Sequence, residues 1–135
     1  MENAASVVSD VAGTCNNDGS TAGNADGTGA AVQFSAPRGI AIAPTSGSFA
    51  LVADSGNGNI RRIDLETWAV TTLAGTGSQH GGEGADGNGT GECSCLPCFG
   101  FLDTLLRVQP QQTAAVFRSP TDVAISADET FALVC

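Results

Sequence analysis

Three of the five cysteines crowd into six residues, as Cys93-x-Cys95-x-x-Cys98, and the lone histidine, His80, lies thirteen residues upstream. Thiolates so spaced can hold a soft metal such as zinc with an imidazole as fourth ligand, or act as a redox pair. Zinc modules usually bring two CxxC pairs, and this pattern does not, so no metal or other cofactor is expected. A second candidate is Gly81-Gly-Glu-Gly-Ala-Asp86, which matches the start of the Gly-Gly-x-Gly-x-Asp calcium turn. That turn needs a large apolar residue two places after the aspartate, where Asn88 stands, and tandem copies nine residues apart, which are absent. Asp86 and its counterpart Asp26 are therefore expected to shape turns. Asn88-Gly-Thr90 is a glycosylation sequon, relevant only in a secreted chain.

Composition narrows the classes of function. Against 14 acidic residues stand five arginines and no lysine, a net charge of −9 and a pI near 4.1. Binding nucleic acid requires neutralising phosphates, so DNA and RNA are not expected partners. No apolar run approaches the roughly 18 residues of a membrane span, and the first residues lack the pattern of a secretory signal, so a soluble protein without membrane contact is expected. An odd number of cysteines with three of them crowded together fits a reducing compartment better than a disulfide framework. Eighteen glycines in 135 residues are nearly twice the ordinary share, which predicts a chain rich in turns.

The elements that must position any site come from an internal repeat. Val11-Ala-Gly-Thr14 returns as Leu73-Ala-Gly-Thr76, and Asn24-Ala-Asp-Gly-Thr-Gly29 returns as Gly84-Ala-Asp-Gly-Asn-Gly89, 60 to 62 residues later. Phe34-Ser-Ala-Pro37 matches Phe117-Arg-Ser-Pro120, and Phe49-Ala-Leu-Val52 matches Phe131-Ala-Leu-Val134, at 82 to 83 residues. The second copy thus carries about 23 more residues, near 91–113. Within the first copy, residues 39–43, 49–53, 59–64 and 68–73 read as strands separated by turn residues, forming one antiparallel meander. Ile60 and Ile63 are three apart, so one face of the third strand is not cleanly apolar. In the extra segment Phe99, Leu102, Leu105 and Leu106 have spacings that suit one face of a short helix.

Phe34-x-x-Pro-x-Gly-Ile-Ala41, Leu51-Val-Ala-Asp-Ser-Gly-Asn57, Ile60-Arg-Arg-Ile63 and Val70-Thr-Thr-Leu-Ala-Gly75 together resemble an NHL repeat, the unit of NHL β-propellers. Gly58 stands where that family usually has histidine. The resemblance implies an all-β fold, a partial β-propeller of four-stranded antiparallel blades. It divides the chain into the outer strand of a preceding blade (1–14), a Gly-rich connection (15–37), a complete blade (38–75), a second connection (76–90), an insertion outside the blade (91–113) and the inner strands of a second blade (114–135). Seven strands fall short of the roughly 16 that closing a ring requires, so a piece of a longer chain, with further blades as its partners, is expected. Asp54 and Asn57 take turn-stabilising places, Asp54 accepting from the backbone of the turn that follows. Arg38 and Asp122, just before the innermost strands, come nearest the channel mouth and are the expected ligand-facing residues. The implied function is a scaffold binding a protein or small ligand. The alternative is part of a propeller enzyme of hydrolase or lyase type, with its catalytic residues in other blades; the inner strands here offer Ile40, Ile42, Val123 and Ile125, and no catalytic residue is expected.

Overall fold

A computed structural model describes residues 10–13, 22–75, 77, 104–107 and 117–135. These form an all-β structure of two antiparallel sheets. The first contains β1 (Gly27–Thr28), β2 (Pro37–Ile42), β3 (Phe49–Asp54), β4 (Asn59–Asp64) and β5 (Ala69–Ala74), in the order β1-β5-β4-β3-β2. The second contains β6 (Thr104–Arg107), β7 (Val123–Ile125) and β8 (Phe131–Val134), in the order β6-β8-β7. Among the described residues no helix is long and apolar enough to cross a membrane.

Strands β2 to β5 are the meander that alternation and turn chemistry predict. Each reversal has a local cause. Between β2 and β3, Gly47 takes φ 60° and its N–H donates to the Ala43 carbonyl at 3.1 Å. Between β3 and β4, a single 3₁₀ turn (Ser55–Asn57) ends at Gly58, whose φ of 61° glycine adopts without strain. Between β4 and β5, the Asp64 carboxylate accepts from the backbone N–H groups of Glu66 and Thr67 and from the Thr67 hydroxyl.

Two features depart from the sequence reading. The connection before the blade contributes β1, which pairs with the outer strand β5 through Gly27↔Val70 and Thr28↔Ala69, so the sheet has five strands. Ala12, from the segment expected to be an outer strand, makes one parallel bridge to Gly29; residues 1–9 of that segment lie outside the described residues. The larger correction is β6. Residues 104–107 are extended and pair with β8, where the leucine spacing suggested a helix. A helix of about ten residues is marginal without a partner surface, whereas the edge of β8 offers unpaired backbone groups that a strand satisfies at once. The remainder of the 91–113 segment is outside the described residues, as are Asp86, His80, Asn88 and Cys93, Cys95 and Cys98.

The core lies between the sheets. Phe49, Leu51 and Ala53 of β3, with Ile60 and Leu73, meet Phe117 and, from the second sheet, Val123, Ala132 and Val134. The innermost strands converge most closely. A Cβ on Gly39 would stand 2.6 Å from the Asp122 Cα and 2.9 Å from the Thr121 carbonyl oxygen, both backbone atoms that cannot rotate aside. Gly39→Ala should therefore destabilise the fold by about 1–3 kcal/mol, the usual cost of overfilling a tight contact. Urea unfolding measures this directly; a variant as stable as the parent would show that the two blades do not approach so closely.

Candidate functional site

The most heavily bonded side chain is Arg61, at the centre of β4 and fully buried. Its register opposite Val52 turns it to the face of the sheet away from the second blade. Burial removes water from the guanidinium, so the N–H groups need protein acceptors. One terminal nitrogen donates to the Asp54 Oδ2 at 3.0 Å and the Gln33 carbonyl at 2.8 Å. The other donates to the Asp26 Oδ1 at 2.8 Å and the Ala25 carbonyl at 2.9 Å. The Phe34 ring lies 5.1 Å from the guanidinium carbon. The Arg61 Nε has no hydrogen-bond partner among the described residues.

The carboxylates are as fully engaged as the cation. Asp54 is buried; its Oδ1 accepts from the Ser35 N–H at 2.7 Å and its Oδ2 from the Asn57 side-chain amide at 2.7 Å. Asp54 thus reaches back to the connection and across to Asn57 and Arg61, and its carboxylate does not cap the backbone of the turn that follows it. Asn57 also donates to the Gly23 carbonyl at 2.6 Å. Asp26 accepts from the Thr72 N–H and hydroxyl, both at 3.0 Å, fastening the connection to β5. The cluster joins three strands and the connection, and every carboxylate oxygen and both terminal nitrogens of Arg61 have a structural partner. Arg61 escaped the sequence reading. Its trace was the broken alternation between Ile60 and Ile63, where a charged residue occupies an inward position.

A second polar group latches the blades at their outer turns. Glu129 Oε1 accepts from the Thr45 and Ser46 N–H groups at 2.8 and 2.6 Å, and the Thr45 hydroxyl donates to the Ala127 carbonyl at 2.8 Å. At the opposite end the Ser55 hydroxyl donates to the Pro120 carbonyl. The Ser46 N–H in particular holds the Glu129 carboxyl below its ordinary value of 4.5.

Arg38, near the start of β2, and Asp122, just before β7, are both exposed, and no ion pair joins them. Asp122 Oδ1 accepts from the Val123 N–H at 2.9 Å. On the side of the sheet away from the core, Arg38 borders a cavity of about 520 Å³ lined by Ile40, Ile42, Val52, Ile63 and Trp68. Among the described residues no group of three or more His, Cys, Asp or Glu side chains gathers in a form that could hold a metal ion.

No protein-family model matches the chain. Over 74 residues it is 40% identical to NHL repeat-containing protein 2 of Gallus gallus, a stretch that is 55% of this chain and 10% of that protein. The chain therefore spans about a tenth of that relative's length, and the similarity points to NHL-type repeats over about half of the chain.

Two outcomes follow from this geometry. Arg61→Ala leaves Asp54 charged, buried and short of a partner, so it should cost about 3–5 kcal/mol in denaturant unfolding. Arg61→Lys should recover only part of that loss, because one ammonium cannot reach four acceptors set for a planar fork; full recovery by lysine would show that charge alone matters. For the latch, Glu129 ionises more easily folded than unfolded, so its contribution is complete above its ordinary value of 4.5 and is lost as the pH falls below that value. Stability measured between about pH 3 and 6 should fall toward the acid end, and Glu129→Gln should flatten part of that slope. Asp64, held low chiefly by the Thr67 N–H, and Asp128, held low chiefly by the Ser126 hydroxyl, add to the slope in the same direction. An unchanged slope in the Glu129→Gln variant would remove the latch from the account.

Proposed function

We propose that this chain is part of an NHL-type β-propeller that serves as an interaction scaffold, presenting the rim around Arg38 and Asp122 to a protein or small ligand. One observation carries the reading. The acidic and basic groups inside the first blade are consumed in bonds that hold strands together, as Arg61, Asp54 and Asp26 are, which commits them to the fold. Arg38 and Asp122, by contrast, keep exposed charge at the end of the sheets where the innermost strands begin. Rigid backbone with displayed charge suits recognition, because little conformational freedom is lost on binding. The partial similarity to a repeat protein supports the same architecture without identifying a ligand.

The test is charge reversal. Arg38→Glu with Asp122→Lys should shift the melting midpoint by no more than about 2–4 °C, as exposed substitutions do in a domain of this size. The same pair should abolish crosslinking from a photoreactive residue placed at Thr121, whereas Glu66→Lys, on an exposed turn between β4 and β5, should leave it intact. Crosslinking that survives the reversal, or that depends equally on Glu66, would refute a binding rim at Arg38 and Asp122.

A further inference from the structure

The second sheet is out of sequence order, and that disorder has a pattern. In the first blade β3 pairs with the strand that follows it, with Phe49↔Asp64, Ala50↔Ile63, Leu51↔Arg62 and Val52↔Arg61. In the second, β8 pairs with a strand that precedes it by more than twenty residues, with Phe131↔Arg107, Ala132↔Leu106, Leu133↔Leu105 and Val134↔Thr104. Because Phe49-Ala-Leu-Val52 and Phe131-Ala-Leu-Val134 are the same segment of the repeat, residues 104–107 hold the positions of residues 61–64, in the same direction and register.

The hydrogen-bond phase also agrees. Ser126 N–H donates to the Phe131 carbonyl at 3.0 Å and Cys135 N–H to the Asp122 carbonyl at 3.1 Å, so Phe131 and Cys135 bond toward β7. Alternation then turns the N–H groups of Ala132 and Val134 away from β7, to the side where β6 lies. In the first blade Ala43 N–H donates to the Phe49 carbonyl at 2.9 Å, which by the same alternation turns Ala50 and Val52 toward β4. The two edges are equivalent, bond for bond.

We propose that the outer edge of β8 is a strand-acceptor site for an extended segment with the pattern of residues 59–64, and that residues 104–107 occupy it as a stand-in from the same chain. Main-chain bonding supplies the attraction and register supplies the selectivity, as in β-strand addition generally. A four-residue stand-in closes an edge that would otherwise recruit other chains, and its shortness leaves it open to replacement by a longer strand.

Residue-resolved amide exchange on the whole chain tests the pairing, and a peptide tests the acceptor. In the unaltered chain Ala132 and Val134 should exchange within about tenfold of Leu133, whose N–H bonds toward β7. Pairing of Leu106 with Ala132 directs the Leu106 N–H at β8, whereas the Leu105 N–H points away. Leu106→Pro should therefore speed exchange at Ala132 and Val134 by at least about tenfold while Leu133 stays protected, and Leu105→Pro should not. A labelled peptide copying residues 58–65 should bind the Leu106→Pro chain at least about tenfold more tightly than the unaltered chain, and its version with proline at the position of Ile63 should not bind. Unprotected Ala132 and Val134 in the unaltered chain would overturn the proposal even if Leu106→Pro fails to fold. Equal effects of the two prolines, or no gain in peptide binding, would overturn it as well.

Discussion

A guanidinium buried between two carboxylates dictates how the chain must run before it enters the first blade. Arg61 cannot be left in an apolar sheet without acceptors, and β4 supplies none at that position. The acceptors come from the connection, through the carbonyls of Ala25 and Gln33 and the carboxylate of Asp26, and from β3 through Asp54. A glycine-rich segment with little apolar surface is thereby held along the outer part of the sheet, close enough for Gly27 and Thr28 to pair with β5. The side chains of Asp54 and Arg61 are wholly buried, while that of Asp26 is 45% exposed. The inner pair therefore sits where its attraction is least screened, and the outer pair is weakened by water. A hydrophobic replacement of the whole cluster could pack the interior equally well, but it would not tell the connection where to lie. The ionic solution specifies a path as well as filling a space.

The blades are joined by a different principle. Between them lies a continuous apolar core, and polar latches sit only at the two ends, Glu129 at one and Ser55 at the other. The backbone there repeats more faithfully than the residues do. Ala36 and Ser119, equivalent in the repeat, take φ 45° and 53°. Gly47 and Glu129, which stand at matching points of the two outer turns, take φ 60° and 56°. A glutamate held in the left-handed region costs about 1–2 kcal/mol where glycine costs none. Its carboxylate accepts two N–H groups from the neighbouring blade, so the strained residue also helps to fasten the blades.

How much of this could be read in the sequence depends on what each feature obeys. The meander β2 to β5 was legible because strand alternation and turn residues are local: Gly47, Gly58 and Asp64 each cause a reversal within a few positions. The pairing of the blades was legible as a repeat. Arg61 was not, since its partners are 7, 28, 35 and 36 residues away and no short window contains them. Asp54 was noticed as a turn residue, and it does bond the Asn57 side chain of that turn, but its oxygens also serve Ser35 and Arg61. The stretch near Leu105 and Leu106 misled for a related reason. Apolar spacing in a short segment is compatible with helix or strand, and the edge of β8, more than twenty residues further on, decides between them.

The contact between the blades is also directional. In the repeat, Ile40 and Ile42 correspond to Val123 and Ile125. Val123 and Ile125 pack toward the side of the first sheet where Ala41 and Ala43 lie beside the bare backbone of Gly39. Large residues on one face of an inner strand thus meet small residues on the opposite face of its neighbour. Ile40 and Ile42 present the same large face again, 62% and 60% exposed, beside the cavity bordered by Trp68. An interface whose two sides differ is heterologous, and it generates either a closed ring or an open stack according to the rotation between successive units. Gly39, Ala41 and Ala43 offer little bulk on the side of the first sheet where Val123 and Ile125 pack, while Phe49 and Leu73 fill the same core with larger side chains.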